Sequence, residues 1–556
     1  MKRRVKKFKR SKQGKTYYYS WIGYQTRNER GTVCFEREVN ISSLPAPEIA
    51  RIDMILKAGD SSILPSTLFR YEKSIAIGSH WTVLRLCEDL GIYYSLEKHL
   101  NSTHFAAIMS MIADRVTNPC PMSKLMLSKE HSEMGMARIL KHNRIPLNEW
   151  YVSLESLYQK QEGIEKQLST NLPNNNKIYM YDITSIYFEG KCCPLAKYGY
   201  NRDGKKGKLQ IVVGMLTDAD GRPLGIRVFN GNTKDESTVL DELCKIKNQY
   251  EAQELIFVGD RGMITGTIRG ELELIPESGI KYITALKRSE IIKLANDEKH
   301  PLQCSLFDRK MVEVKDGTKR YILCFNPLKC DEDKETRKRF LNKTEEKLKI
   351  IEKNVKSGRY KKEKTIAKKL YTWLDKWNMG KCFNVDYSDG SFSYKRNEDK
   401  ITELERLDGC YVITTTIDES EMSKEEIVKR YKNLTLVEQA FRHMKTTDEF
   451  IRPLRHWNVN RVKGHVFMCM LAYLVIWQSR KCFEEYLERD EDTNMCTAGS
   501  LREIWRALDK GITIGTLKKG DEIEDQISPI PVYQKHLLKM ANASISQNEK
   551  RRLKCS

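Results

Sequence analysis

KIYMYDITSIYFEG, spanning Lys177–Gly190, is the stretch on which the reading of this chain turns. β-Branched and aromatic residues dominate it, which marks a strand. One carboxylate, Asp182, stands inside the apolar run. A charge there is costly to bury without a partner, and a metal ion is one such partner. KLQIVVGMLTD follows from Lys208, then the turn Ala219-Asp220-Gly221, then RPLGIRVFN from Arg222. These read as two further strands joined as a hairpin. A helix fits from about Lys234 to Gln249, with Asn232 or Thr233 near its start. ELIFVGD is a short buried strand ending at Asp260, RGMITGTIRGELEL starts a helix at Arg261, and KYITAL is another strand. The order is β-β-β-α-β-α-β.

That order is the order of an α/β ribonuclease-H-like domain, a pattern partly shared by other α/β folds. Working outward, the domain is read as two parts, residues 171–289 and 406–480, interrupted by an insertion domain over 290–405. Within the interruption, MVEVKDG and KRYILCFNP look like a hairpin. The Lys- and Glu-dense stretch from Asp331 to about Trp377 reads as a solvated amphipathic helix pair carrying Leu341, Leu348 and Ile351. CYVITTTI, from Cys410, returns to strand. Ser423 and Glu426 have the form of a capping box opening a helix through EEIVKRYKNLTLVEQAFRHMK. Upstream, residues 1–47 are read as a basic arm followed by a small β unit. Residues 48–170 read as a mainly helical region expected to bind the DNA ends, with HWTVLRLCEDLGI stopping near Gly91 and FAAIMSMIADRV ending at Asn118-Pro119. Residues 481–556 are read as a C-terminal helical region.

Size and composition narrow the function classes. With 556 residues the chain exceeds a single core, and 40% hydrophobic content argues against disorder. The formal net charge of +21 suits a polyanionic partner. The 15 cysteines show no common zinc spacing and read as reduced thiols. No apolar segment follows the basic N-terminus, and the longest apolar run, Val466 to Trp477, is short for a bilayer span. No membrane partner is expected.

The chemistry is carried by three carboxylates. Asp260 ends an apolar strand, and strand C-termini are where α/β folds place their chemistry. Glu438 lies near Leu434, Val437, Ala440 and Phe441 on the predicted helix, so it is expected to face inward. Tyr431, Arg442 and Lys445 fall on the same stripe at helical spacing. Singly, each acid has a plainer reading: a strand edge for Asp182, a helix cap for Asp260, an i,i+4 ion pair with Arg442 for Glu438. Asp203, Asp218, Asp220, Asp235 and Asp408 read as turn or helix-start residues. Glu189 falls on the strand face opposite Asp182. His443, His456 and His465 form no convincing metal set.

Taken together these motifs resemble the DDE transposases of bacterial insertion sequences, in the IS-four superfamily. The signature Y-x2-R-x3-E-x6-K is matched by Tyr431, Glu438 and Lys445, while Leu434 stands at its Arg position. DITSIYFEG, VGDRGM and FIRPLRHWNVNRVKGHVFMCMLAYL add to the likeness. The resemblance implies Asp182, Asp260 and Glu438 as catalytic metal ligands for two Mg²⁺ ions, with Mn²⁺ able to substitute. Tyr431 and Lys445 are implied as DNA contacts, and Arg442 or Arg430 could stand in for the missing Arg. It further implies terminal inverted repeats and target DNA as partners, a homodimer in a paired-end complex, and a bacterial, cytoplasmic, nucleoid-associated protein. A non-catalytic DNA-binding derivative and a stand-alone nuclease of the same fold are the competing functions.

Overall fold

The computed structural model describes the chain except residues 1–2, 13–14, 28–31, 59–68, 118–134, 143, 171–177, 201, 203–206, 241, 244–246, 248–254, 275–278, 298, 304–306, 308–310, 378, 447–450, 452–453, 488–497, 520–521 and 555–556. Asp203, the expected stop at Asn118-Pro119 and much of the helix expected near 234–249 lie outside the described residues. Two compact units are present: residues 1–76 with 511–530 and 545–556, and residues 77–510 with 531–544.

The first unit differs most from the sequence reading. The expected basic tail is a strand, β1 (Arg3–Lys12), in continuous antiparallel register with β2 (Lys15–Arg27), which pairs in turn with β3 (Val33–Asn40). Helix α1 (Ala46–Ala58) packs on β1, where the Val5 N–H donates to Asp53 Oδ1 at 3.3 Å. A second sheet runs β16-β15-β4, built from Phe69–Ala76 (β4), Thr513–Lys519 (β15) and Glu522–Ile527 (β16). These segments were expected to be helical. Their pairing joins residues more than 400 positions apart, and a local periodicity cannot register a partner at that distance.

The second unit is a mixed α/β body around one eight-stranded sheet of order β10-β11-β14-β9-β8-β5-β6-β7. Its strands are β5 (Ile178–Tyr187), β6 (Gln210–Asp218), β7 (Pro223–Asn230), β8 (Leu255–Gly259), β9 (Ile280–Ala285), β10 (Met311–Asp316), β11 (Lys319–Phe325) and β14 (Cys410–Thr415). β5–β8 and β8–β9 are parallel, and the remaining neighbours are antiparallel. The apolar, β-branched composition of β5, β6 and β8 fits strands covered on both faces. Side-chain alternation divides β5. Tyr179, Tyr181 and Ile183 enter a core with Phe257, Ile264 and Leu272, the last from α8 (Gly266–Glu273). Asp182 and Thr184 take the other face.

Ahead of the sheet run helices α2 (Gly78–Asp89), α3 (Ile92–His99), α4 (Ser102–Thr117), α5 (Gly135–Leu140), α6 (Leu147–Gln159) and α7 (Gln161–Ser169). Gly91 follows α2 at φ +79°, the left-handed conformation expected of a stop glycine. After the second carboxylate, the interruption is narrower than the expected 290–405. The β10–β11 hairpin joins the main sheet through β14 instead of leaving it. What stands apart is α10 (Pro327–Lys356), α11 (Glu363–Lys376), the hairpin of β12 (Phe383–Ser388) and β13 (Ser391–Arg396), and α12 (Glu398–Glu405). These share their own core of Leu341, Leu348, Ile351, Ile366, Leu370 and Phe392. Between α8 and β10 lies α9 (Arg288–Ala295). Asp408, buried in the turn before β14, is held by Arg337, and by Arg288 at 3.1 Å. Its role is structural, since a carboxylate so neutralised has little left to offer a ligand.

The region read as one helix from Ser423 is two, α13 (Lys424–Lys432) and α14 (Leu434–Thr446), meeting at Asn433. Ser423 caps α13 through the Glu426 N–H at 3.2 Å, while the Glu426 carboxylate pairs with Arg430 at 2.6 Å. The apolar run at Val466 lies in a 24-residue helix, α15 (Val459–Cys482), long and apolar enough to cross a bilayer by length and composition. Most of that stretch is buried here, against α4, α6 and β7. Helices α16 (Ala498–Gly511) and α17 (Val532–Met540) contribute to this unit, and α18 (Gln547–Lys554) belongs to the first.

Gly464 is where α15 meets α6: a Cβ there would lie 1.9 Å from the Leu154 carbonyl oxygen. Backbone cannot yield as a flexible side chain can. Gly464→Ala is therefore expected to destabilise this unit by about 1–3 kcal/mol, typical of overpacking. Urea denaturation measures it, and an unchanged midpoint would contradict the close approach.

Candidate active site

Two carboxylates meet because two strands run parallel. The β5–β8 register pairs Tyr181 with Gly259, so Asp182 and Asp260 are the next residues on adjacent chains, whose spacing is about 4.8 Å. Asp182 is partly buried in mid-strand, and Asp260 is exposed just past the end of β8. The Asp260 carbonyl accepts from Met263 and Ile264 at 2.9 and 3.0 Å, which fixes the turn that follows. Asp260 is not a helix cap, because α8 starts only at Gly266 behind Thr265.

The third carboxylate arrives on α14, which lies across β5 and β6. Three contacts fix that helix. Asn433 Nδ2 donates to the Ala219 carbonyl at 3.2 Å. Leu436 covers the β6–β7 turn at Gly221, whose φ is +77° and where a Cβ would lie 2.8 Å from Leu436 Cβ. Lys445 Nζ donates to Thr184 Oγ1 at 2.6 Å. Val437, Ala440, Phe441 and Met444 are buried, whereas Glu438 is exposed. The expectation that Glu438 faces inward is thus corrected: the apolar neighbours take the buried stripe, and the carboxylate lies at its solvent edge.

The charges of the three acids nevertheless reach one another. Burial pushes the Asp182 carboxyl up to about 7; the Ile183 backbone N–H opposes this, Glu438 adds to it, Arg202 opposes it, and Asp260 adds to it. Tyr431, across the break at Asn433, is held well above its usual range, first by burial, then by Asp260 and Glu438, against Arg261. The helix break means Tyr431 and Glu438 do not share one helical stripe, yet both stand in the same electrostatic field.

Arg202 and Asp235, neither marked by any sequence pattern as a site residue, also lie at this site. The Arg202 N–H donates to Ser185 Oγ at 2.9 Å, and its guanidinium pairs with Asp235. Asp235 in turn stands beside Asp260, since a Cβ on Gly262 would lie 3.6 Å from Asp260 Oδ2 and 3.9 Å from Asp235 Oδ2. Both residues come from turns, where Arg and Asp are common and carry no periodic signal. Glu189 lies beyond β5 and pairs with Arg455 at 3.4 Å. Arg430 is engaged by Glu426 at 2.6 Å, and Arg442 is exposed on α14. Burial and neighbouring arginines push His443 down to about 3, burial and Arg461 push His456 down to about 4, and His465 is lowered chiefly by burial. His456 and His465 face each other at 3.3 Å as neutral core groups.

Among the described residues, no three His, Cys, Asp or Glu side chains converge closely enough to hold one ion. Asp182, Asp260 and Glu438 are all oxygen donors on separate elements, a set suited to hard divalent cations that take one or two carboxylates each.

A family model described as "Transposase DDE domain" matches residues 175–475, more than half of the chain. The chain belongs to the DDE-domain transposases. It is a transposase, an enzyme of DNA cleavage and strand transfer whose partner is DNA, in a family that generally uses divalent metal ions. No curated protein matches the sequence. Among solved structures, the chain aligns with a cryo-EM structure of the piggyBac transposase synaptic complex with hairpin DNA. Identity is 9% and the TM-score 0.36, over 85% of this chain and 84% of that one.

The raised Asp182 value carries a pH dependence. The folded chain keeps that proton up to about pH 7, whereas an unfolded Asp releases it near 3.9. Stability is therefore lost as pH rises across that window and is level above it. In metal-free buffer, Asp182→Asn is expected to melt higher than the parent, by a margin that grows from pH 5 to 7 and then stays constant at several degrees. Calorimetry across pH measures this; a margin that shrinks with pH would refute the assignment.

Proposed function

We propose that Asp182, Asp260 and Glu438 are the catalytic carboxylates of this transposase and that its substrates are the terminal inverted repeats of a bacterial insertion sequence. The observation that carries this is the placement of Asp182 and Asp260 at adjacent positions on paired strands, with the helix of Glu438 lying across β5. The sheet supports a ribonuclease-H-like reading: in the order β7-β6-β5-β8-β9, three strands are antiparallel and the next pairings parallel. The Y–E–K spacing of Tyr431, Glu438 and Lys445 supports the IS-four branch.

The donor set fits Mg²⁺, with Mn²⁺ able to substitute. Asp182 has two acidic neighbours and a carboxyl held near pH 7, so a divalent cation would relieve a strain already present in the fold. Two ions would each use one or two of these carboxylates and take water and DNA phosphate for the rest. Such ions, when bound, neutralise the attacking and leaving oxygens of an in-line displacement and ease deprotonation of the nucleophile.

The residues around them orient the substrate. Lys445, fixed by Thr184, holds a cation beside β5, where a phosphate would be drawn in. Tyr431 keeps its proton, so its hydroxyl remains a donor to phosphate oxygen rather than a nucleophile. Arg202 and Arg261 supply positive charge on the carboxylate side, with Arg442 open on α14. Water displaces the 3′ oxygen at the element's end, leaving a 3′-hydroxyl. That hydroxyl then attacks a target phosphodiester, whose own 3′ oxygen leaves with the proton. No protein–DNA bond forms at either stage. A homodimer pairing two ends in the bacterial cytoplasm completes the reading.

Asp182→Ala and Glu438→Ala are each expected to reduce cleavage and joining about 10³-fold or more, the scale of several kcal/mol of lost charge stabilisation. Binding to end DNA should change only a few-fold. Either variant cutting and joining at the parental rate while still binding DNA would overturn the assignment.

A further inference from the structure

Both faces of the first sheet of the N-terminal unit carry cations, and they differ in their acids. Its register pairs Arg4 with Gly23, Lys6 with Trp21, Phe8 with Tyr19 and Arg10 with Tyr17, and then Gly23 with Arg37 and Gln25 with Phe35. Directly paired residues share a face, and faces alternate along each strand. One face therefore carries the cations Arg4, Lys6, Arg10 and Arg37, all exposed. The same face carries the rings of Phe8, Trp21 and Phe35, and Tyr17, which is 45% exposed. The acids sit opposite: Glu38 pairs with Arg3 at 2.6 Å, and Glu36 pairs with Tyr24, the partner of Arg3. Among the described residues of this sheet, no carboxylate shares the cationic face.

Cations and rings are also interleaved on that face. The Arg37 guanidinium lies 4.0 Å over Phe8 and 5.7 Å from Trp21, and Lys6 Nζ lies 5.6 Å over Phe35. Phe8 and Phe35 centroids are 5.7 Å apart. Lysines alone would be a sufficient guard for an edge strand such as β1. That purpose gives no reason to gather five rings among them, Tyr19 included, with the acids segregated to the other side. A cationic row with interleaved aromatic rings is the chemistry of single-strand recognition, in which cations follow the phosphates and rings stack on unpaired bases.

We propose that this face is a platform for unpaired DNA, with Arg4, Lys6 and Arg10 on phosphates and Tyr17 and Phe8 against bases. It gives the enzyme a sequence-tolerant hold on single strands, separate from cutting and joining, and does not depend on the carboxylate assignment.

Fluorescence anisotropy of the full chain, with labelled 15-nucleotide oligo-dT and a duplex of equal length over a salt series, tests it. Lys6→Gln/Arg10→Gln is expected to weaken oligo-dT binding about tenfold and to lower the salt slope by about 1.4, two single-strand phosphate contacts. Lys7→Gln/Lys9→Gln removes the same charge from the opposite face and should change binding less than twofold. Tyr17→Ala should weaken oligo-dT roughly fivefold or more while leaving duplex binding nearly unchanged. If the double variant does not fold by circular dichroism, Arg4→Gln alone should lower the slope by about 0.7. Equal losses from the two faces, or an equal effect of Tyr17→Ala on oligo-dT and duplex, would overturn the platform.

Discussion

Parallel pairing of β5 with β8 is the constraint on which the site depends. It brings Asp182 and Asp260 to adjacent places at the centre of an eight-stranded sheet, with no loop required to find the geometry. The same pairing places β5 in the middle of the sheet, and that is what makes Asp182 costly. An acid on an edge strand would be solvated and unremarkable. In the central strand it is shifted to about 7, chiefly by burial. The burial that raises this carboxyl and its closeness to Asp260 thus have one origin.

The remaining parts bring Glu438 within reach without burying it. Fixing α14 at Asn433, Leu436 and Lys445 ties the helix to β5 and to the β6–β7 turn. Its apolar stripe then packs beneath, leaving Glu438 at the solvent edge. Leu434 is buried in that stripe. Arg202 and Arg261, brought in by turns, supply cationic charge around the acids.

The segment between Asp260 and Glu438 is packed partly on the main sheet and partly on a core of its own. Strands β10 and β11 extend the sheet on the far side of β14, while α10–α12 and the β12–β13 hairpin close a separate core. The buried Asp408 with Arg337 and Arg288 ties the return into β14 to α10 and α9. Breaking one member of such a set leaves an uncompensated buried charge, so the connection behaves as a unit.

The sequence by itself marked the strands and the helix that carry the three candidate acids. Composition marked β5, β6 and β8 as strands, and helical spacing linked Glu438 to Lys445. These are local signals, written within one element. Tertiary structure decided what depends on distant partners. It paired β4 with β15 and turned the basic N-terminus into an ordered strand. It broke the helix at Asn433, where a side chain is drawn to the Ala219 carbonyl of a turn more than 200 residues away. It also set Glu438 at the solvent edge and gathered Arg202 and Asp235 to the carboxylates. Periodicity reports which face of an element is apolar. What that face meets is fixed only when the chain closes on itself.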